Sequence, residues 1–208
     1  MSPLPSCPGA DCASRVLDAA FEVFCETGYR TSIDTVAQRA QVARQTIYNH
    51  FGSKEALFSA AMGKAVKELF AMLAAEEGDW RSRLYNFGLR FRERVLAPDA
   101  INLHRLLTSE AQRFPELASG MYENCFIYSR RQIADVLEQA MKQGALRRED
   151  PMEAAHILLD MLVSADHMRL VLGGPELDLN EEPAKVRRAM ELFSRVYAAN
   201  PATSVHPS

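Results

Sequence analysis

Residues 28–58 read GYRTSIDTVAQRAQVARQTIYNHFGSKEALF, and the spacing inside this stretch decides the fold. Ile33, Val36, Ala37 and Ala40 recur at helical intervals and predict a first short helix with one apolar face. Thr31 or Ser32 precedes it as an N-cap, since a hydroxyl there accepts an otherwise unpaired backbone N–H. Gln41-Val42 makes a tight turn, with Val42 tucked between two helices. A second short helix follows from about Ala43 to His50, with Ile47 and Phe51, four apart, facing inward. Arg44 and Tyr48 then form one outward column and Gln45 and Asn49 another. Such groups address nucleic acid: arginine and side-chain amides for base edges, hydroxyls and histidine for phosphates. An ordinary helical hairpin with a solvated polar face is the competing reading. Against it, Phe51-Gly52-Ser53-Lys54-Glu55-Ala56-Leu57 closes the second helix and caps another, bringing Lys54 close to the same surface.

These residues carry a specific resemblance. Gly28-Tyr29 ends a first helix, Thr31-Ser32 opens the second, and TIYNHFGSKEAL (46–57) spans the third and fourth. The segment resembles the helix-turn-helix DNA-binding domain of the TetR family of transcriptional regulators. The resemblance implies a recognition helix over residues 43–50. Arg44 and Gln45 are then expected at base edges, with Asn49 in the same outward column as Gln45. Thr46, Tyr48, His50 and Lys54, with Thr31 or Ser32, are expected at phosphates. Two positions depart from the family pattern. The loop between Gly28 and Ser32 is one residue shorter than usual, and Ala43 stands where the family often has serine. That removes a hydroxyl cap worth about 1 kcal/mol.

A chain of 208 residues with 48% hydrophobic and 25% charged residues has the composition of an ordinary globular protein with a real core. Its net charge of −3 does not announce a DNA binder. Within residues 13–58 the bases Arg15, Arg30, Arg39, Arg44 and Lys54 are matched by Asp18, Glu22, Glu26, Asp34 and Glu55. The charges are nonetheless segregated, because Gln38 to Lys54 holds three bases, a histidine and no acid. Affinity is therefore expected from a local face, neutral donors and doubling through dimerisation.

The start, MSPLPSCPGADC, has neither a basic nor an apolar run of the secretory kind. Nothing approaches the roughly 18 apolar residues of a membrane span, since the best run, Ile157 to Val163, is broken by Asp160. A cytoplasmic protein without membrane partners is expected. Cys25 and Cys125 fall on helical patterns as reduced core thiols. Cys7 and Cys12 fall in a Pro- and Gly-containing tail, where a redox pair is the less favoured alternative.

Nearly every segment reads as helix, so the predicted fold class is all-α. A flexible tail (1–12) precedes a three-helix helix-turn-helix domain (13–57). A helical ligand-binding and dimerisation domain (58–199) and a second tail (200–208) follow. Residues 13–27 bury Val16, Leu17, Ala20, Phe21 and Phe24, and Gly28 stops the helix. Further helices are expected at 53–75, 80–96 (ended by Pro98), 100–114 (stopped by Pro115), 116–143, 151–172 and 182–198. The helix at 152–172 is apolar over most of its circumference, so it packs on its own subunit and on a partner. With the last helix it is expected to build a four-helix bundle across a homodimer. That is also the usual dimer of TetR-like proteins. The stretches RFPELASGMYE and LEQAMKQGALRREDPMEAAHILLDMLV are similar to the C-terminal domain of AefR- and AcrR-like members.

No Gly-rich phosphate loop, nucleophile elbow or Cys/His cluster is present, and no enzyme, cofactor or metal is expected. Glu153, His156, Asp160, Ser164 and His167 share one helical stripe. His156 and Asp160 could share a metal, but a hydrated groove or pocket lining is the preferred reading. Family resemblance implies a small-molecule effector in the C-terminal domain. Candidate contacts are Phe87, Phe91, His104, Met121, Tyr122, Cys125, Phe126, Met161 and Ser164, expected to surround one interior from four helices. The same residue types fill any helical core. The expected function is a homodimeric repressor on palindromic double-stranded DNA, released by a small apolar ligand. The alternative is a DNA-binding dimer without an effector, controlled by abundance or a protein partner.

Overall fold

In a computed structural model, residues 10–75 and 77–199 are described, with only the backbone at positions 10, 72, 75 and 164. Helix α1 (Ala10–Thr27) ends at Gly28, whose φ of 78° suits a residue without a Cβ. Helices α2 (Ile33–Ala40) and α3 (Arg44–Phe51) follow, and α4 (Lys54–Ala75) runs out of this unit as one long rod. Val16, Ala20, Phe24, Val36, Val42, Ile47 and Phe58 are buried in a common cluster. Ser32 is the N-cap of α2: its Oγ accepts from the Thr35 N–H at 3.1 Å.

One expectation about the tail is corrected. Helix α1 begins at Ala10, before the expected residue 13, and Cys12 is buried in the core. The apolar periodicity of α1 extends back through Cys12, so its thiol lies in the helical core and not in a loose tail. Cys7 lies outside the described residues, as does the segment 200–208.

Beyond α4 come α5 (Trp80–Val95), α6 (Pro98–Glu110) and α7 (Pro115–Met121). Both prolines open helices rather than ending them, because a first-turn position needs no N–H and welcomes the fixed φ. The predicted long helix at 116–143 is continuous but changes its bonding. Tyr122–Ile127 is a π-helical segment between α7 and α8 (Tyr128–Lys142). Helices α9 (Pro151–Val171) and α10 (Glu182–Val196) complete the chain.

The core divides in two. The first cluster takes Leu57, Phe58, Ala61 and Met62 from α4 and continues into Leu103, Leu107, Leu117 and Cys125. The second takes Phe70 and Leu73 from the far end of α4, with residues of α5, α8, α9 and α10. Helix α4 therefore belongs to both, and the helix-turn-helix unit borrows its core from α6 and α7.

Inside the second part lies a charge cluster around one buried arginine. Arg92 of α5 is only 2% exposed. Its guanidinium donates to both Glu182 oxygens (2.5 and 3.0 Å), to Asp166 Oδ2 (2.7 Å) and to the Leu162 carbonyl. Lys185 adds a second cation, 3.0 Å from Asp166 and 3.3 Å from Glu182. One turn earlier, Gly88 lets α5 approach: a Cβ there would sit 2.9 Å from Leu162 and 3.0 Å from Val186.

Burial alone would raise Asp166 and Glu182, but hydrogen bonds and charge from Arg92 and Lys185 hold both below the ordinary carboxylate range. Their contribution to stability is therefore complete above the unfolded values near about 4 and drains away as pH falls through the lower folded values. Urea denaturation should show Arg92→Ala less stable by about 2 kcal/mol at neutral pH, since it removes the guanidinium that Asp166, Glu182 and the Leu162 carbonyl share and leaves Lys185 as the cation bound to both carboxylates. The wild-type midpoint should fall below about pH 4, with a shallower fall in the variant.

Candidate nucleic-acid interface

The turn before α3 is tight. Gln41 adopts a left-handed φ of 54°, and the Val42 N–H donates to the Ala37 carbonyl at 3.0 Å. Val42 and Ile47 are buried, which fixes the rotation of α3 about its axis and turns Arg44, Gln45, Asn49 and His50 outward. The two expected columns are present as bonded pairs. Gln45 Nε2 donates to Asn49 Oδ1 at 2.9 Å, and Arg44 Nη2 donates to the Tyr48 hydroxyl at 3.4 Å, with its guanidinium 5.4 Å from that ring's centre. Thr46 and Tyr48 are half-buried at the edges of this face.

Arg44 has a partner that the sequence reading did not nominate. Asp34, at the second position of α2, accepts from Arg44 Nη1 at 3.3 Å. The two residues are ten apart and on different helices, so helical spacing carries no signal of the pair. Asp34 and Tyr48 both lie within reach of the exposed arginine, at 3.3 and 3.4 Å.

Around the rim, Ser32 is exposed but its hydroxyl is engaged as a cap, whereas Thr31 is half-buried in the loop. Lys54 lies with Nζ 4.4 Å from the centre of the Tyr29 ring, and burial lowers its pKa. Tyr29 is itself buried and donates to Glu55 at 2.6 Å. Burial and that carboxylate push its phenol well up. The other two bases of the unit that could have met DNA face elsewhere. Arg39 binds Glu22 and Glu26 of α1 (3.1 and 2.8 Å), and Arg30 binds Glu110 of α6 at 2.5 Å. Arg44 and Lys54 are the formal cations that remain on the α3 side, with exposed His50 near the end of α3.

The nine candidate effector contacts are not gathered around one interior. Phe87 and Phe91 stack at 5.3 Å and pack into the second core with Phe70. Met161 is half-buried against the same core. Met121 and Cys125 belong to the first core, their sulfurs 3.3 Å apart, and burial pushes the Cys125 thiol up to about 12. Tyr122 and Phe126 stack on each other at 6.2 Å, each 50% exposed. His104 lies against Phe126 and, at 4.5 Å between ring centres, against His167. The Ser164 side chain is outside the described residues. The π-helical segment explains part of the scatter, because an extra residue per turn shifts the faces that straight helical spacing assigns.

In the stripe on α9, His156 Nδ1 lies 2.7 Å from Arg130 and Nε2 lies 3.5 Å from Asp160. Among the described residues no three His, Cys, Asp or Glu groups converge as metal ligands. No helix among them is long and apolar enough to cross a membrane.

Two family models match this chain. Residues 16–61 match the bacterial regulatory proteins of the tetR family, and residues 82–199 match the C-terminal domain of AefR-like transcriptional repressors. The chain belongs to the TetR family of transcriptional regulators. It is 24% identical over 170 residues to the uncharacterised HTH-type transcriptional regulator YvkB of Bacillus subtilis, covering 81% of this chain and 88% of that one. A solved TetR-family regulator from Mesorhizobium loti superposes with a TM-score of 0.79 at 23% identity, over 93% of this chain and all of that one. The flavonoid-responsive regulator FrrA superposes at 0.69 with 27% identity and the same coverage.

In this TetR-family member the recognition helix starts without a side-chain cap. Ala43 has the extended backbone of an N-cap (φ −71°, ψ 143°) but no group to accept an N–H. Ala43→Ser should therefore raise stability by about 1 kcal/mol in chemical denaturation. An unchanged midpoint would show that the first turn of α3 is already satisfied by water.

Proposed function

We propose that this protein is a homodimeric repressor that lays α3 of each subunit in a major groove of a palindromic operator. The observation that carries the reading is the face of α3. Its apolar side is locked by Val42 and Ile47, while Arg44, Gln45 and Asn49 stand outward and already oriented. Arg44 and Gln45 read base edges, with Asn49 beside Gln45. Thr46, Tyr48, His50, Lys54 and Thr31 or Ser32 hold phosphates. Both grooves must be met about one helical turn apart, about 34 Å, so the spacing of the two α3 helices sets affinity.

Support for dimerisation comes from the last two helices. Met168 of α9 and Leu172, its C-cap, are 56% and 78% exposed, and Leu192 and Val196 of α10 are also exposed. Each pair is spaced four apart, as a helix face awaiting a partner requires. Release by a small molecule is supported by the flavonoid-responsive neighbour of the same fold. The packed state of Phe87 and Phe91 favours, for those two residues, the reading in which they are core and touch no effector.

Selection of duplexes from a random library at a fixed salt concentration should enrich a palindrome. On that operator Arg44→Ala should weaken binding about ten- to hundredfold and relax preference at one base pair per half-site. Tyr48→Phe should weaken all sequences alike. An Arg44→Ala protein that bound the selected operator as tightly as wild type would overturn the assignment of that residue.

A further inference from the structure

Helices α1 and α5 both pack on α4, and between the three lies a cleft of about 710 Å³. Its floor is apolar: Phe21, Ala61, Ala65, Leu69 and Ala97. Ala61 and Ala65 face it one turn apart on α4 with nothing beyond a methyl group, so the space is not filled from that wall. The cleft is open to solvent on one side, and its volume is in the range of clefts that take small organic molecules, roughly 300–1,000 Å³.

The rim decides what kind of molecule fits. Three acids, Asp18, Glu68 and Glu93, face three bases, Lys64, Arg90 and Arg94. Lys64 binds Asp18 and, at 2.7 Å, Glu68. Arg94 binds Asp99 through two bonds of 3.0 and 3.2 Å and lies 5.0 Å from the centre of the Phe21 ring. Lys64 and Arg94 already have carboxylate partners, so an anion at either would compete with a group held in place. An uncharged ligand needs only to cover the floor and accept or donate at the edge.

We propose that this cleft binds an uncharged, largely apolar small molecule. The site lies at the junction of the two cores: α1 belongs to the helix-turn-helix core, α5 to the second, and α4 to both. An occupant touches all three and stabilises the relative placement of α1 and α5 seen here, by as much as it prefers that placement to others. This deepens the effector part of the function proposed above, and moves the site away from the candidate residues at Tyr122, Phe126 and His104. It does not depend on DNA binding.

The test uses the full chain without DNA and the uncharged fluorophore N-phenylnaphthylamine as probe. Saturable binding of one probe per subunit is expected. Ala65→Trp, which fills the cleft, should weaken it at least about tenfold. Gln139→Trp, in a second cleft of about 400 Å³ beside Trp80, should leave it unchanged. The sulfonated anionic analogue should bind at least about tenfold more weakly than the neutral probe. Amide hydrogen exchange of the wild-type protein should slow with probe over residues 15–24, 60–70 and 89–97, a readout that survives if Ala65→Trp fails to fold. Absence of saturable binding, equal binding by folded Ala65→Trp, protection centred instead on residues 136–146, or equal affinity for the anion would each overturn the proposal. Loss of operator recognition with probe binding intact would count against the DNA-binding reading alone.

Discussion

Four aromatic rings hold the reading head to the rest of the protein. Phe24 and Phe58 meet at 5.0 Å, Tyr29 and Phe58 at 5.4 Å, and Tyr29 and Phe114 at 5.7 Å, all edge-on. A three-helix unit of this size buries little apolar surface of its own. Here the deficit is met by Phe114 and by Leu103, Leu107 and Leu117, all of which come from beyond α4. The consequence is mechanical. The helix-turn-helix cannot drift relative to α6 and α7 without exposing its own core, so its orientation is set by the body of the protein. The buried Tyr29 also carries this constraint to the DNA face. Its hydroxyl fixes Glu55 and its ring supports the Lys54 ammonium, which places the first turn of α4 beside α3.

The body is held by a different kind of contact. Arg92 addresses acceptors on α9 and α10 together: the Leu162 carbonyl, Asp166 and Glu182. Such a cluster gains little over apolar packing of the same volume, because desolvating the charges offsets most of their attraction. What it supplies is register. A slide of α9 along α10 by one turn would leave at least one carboxylate buried without a cation, whereas apolar side chains would simply repack. The two helices whose exposed apolar faces are proposed to meet a second subunit are thus fixed to one another from behind by α5.

The reading head was legible because three independent signals coincide within 31 residues. Apolar spacing located α2 and α3, a capping hydroxyl located the start of α2, and the outward columns of α3 followed from the i,i+4 rule. The Arg44–Asp34 pair was not legible, since it joins two helices whose crossing no local pattern encodes. Arg92 was missed for a similar reason. Its carboxylate partners lie 74 and 90 residues away, and an arginine beside Phe91 in an amphipathic stretch reads as the start of the solvated face. The effector candidates lie apart from one another for a different reason. Aromatic and sulfur side chains are equally at home in a core, on a π-helical surface and around a ligand, so identity and spacing did not separate Phe87 from Phe126. Cys12 was placed in a tail because its neighbours are prolines and a glycine, although the apolar rhythm of α1 begins with it.

Helix α6 bears on how a signal could reach the DNA face. On one side it packs Leu106 against Gly28, where a Cβ would stand 3.1 Å from Leu106 Cδ2, and its buried Glu110 receives Arg30 from the loop before α2. On the other, Arg105 donates to the Val171 carbonyl at 2.8 Å and His104 lies against His167, both on α9. A pivot of α4 alone would pull the Gly28–Arg30 loop from α6 and take the largely exposed guanidinium of Arg30 from the buried Glu110. Motion of α4 and α6 together keeps both contacts but breaks those of Arg105 and His104 with α9. Helix α6 therefore ties the helix-turn-helix to α9, and a movement of the DNA face has to give up contacts on one side of α6 or the other.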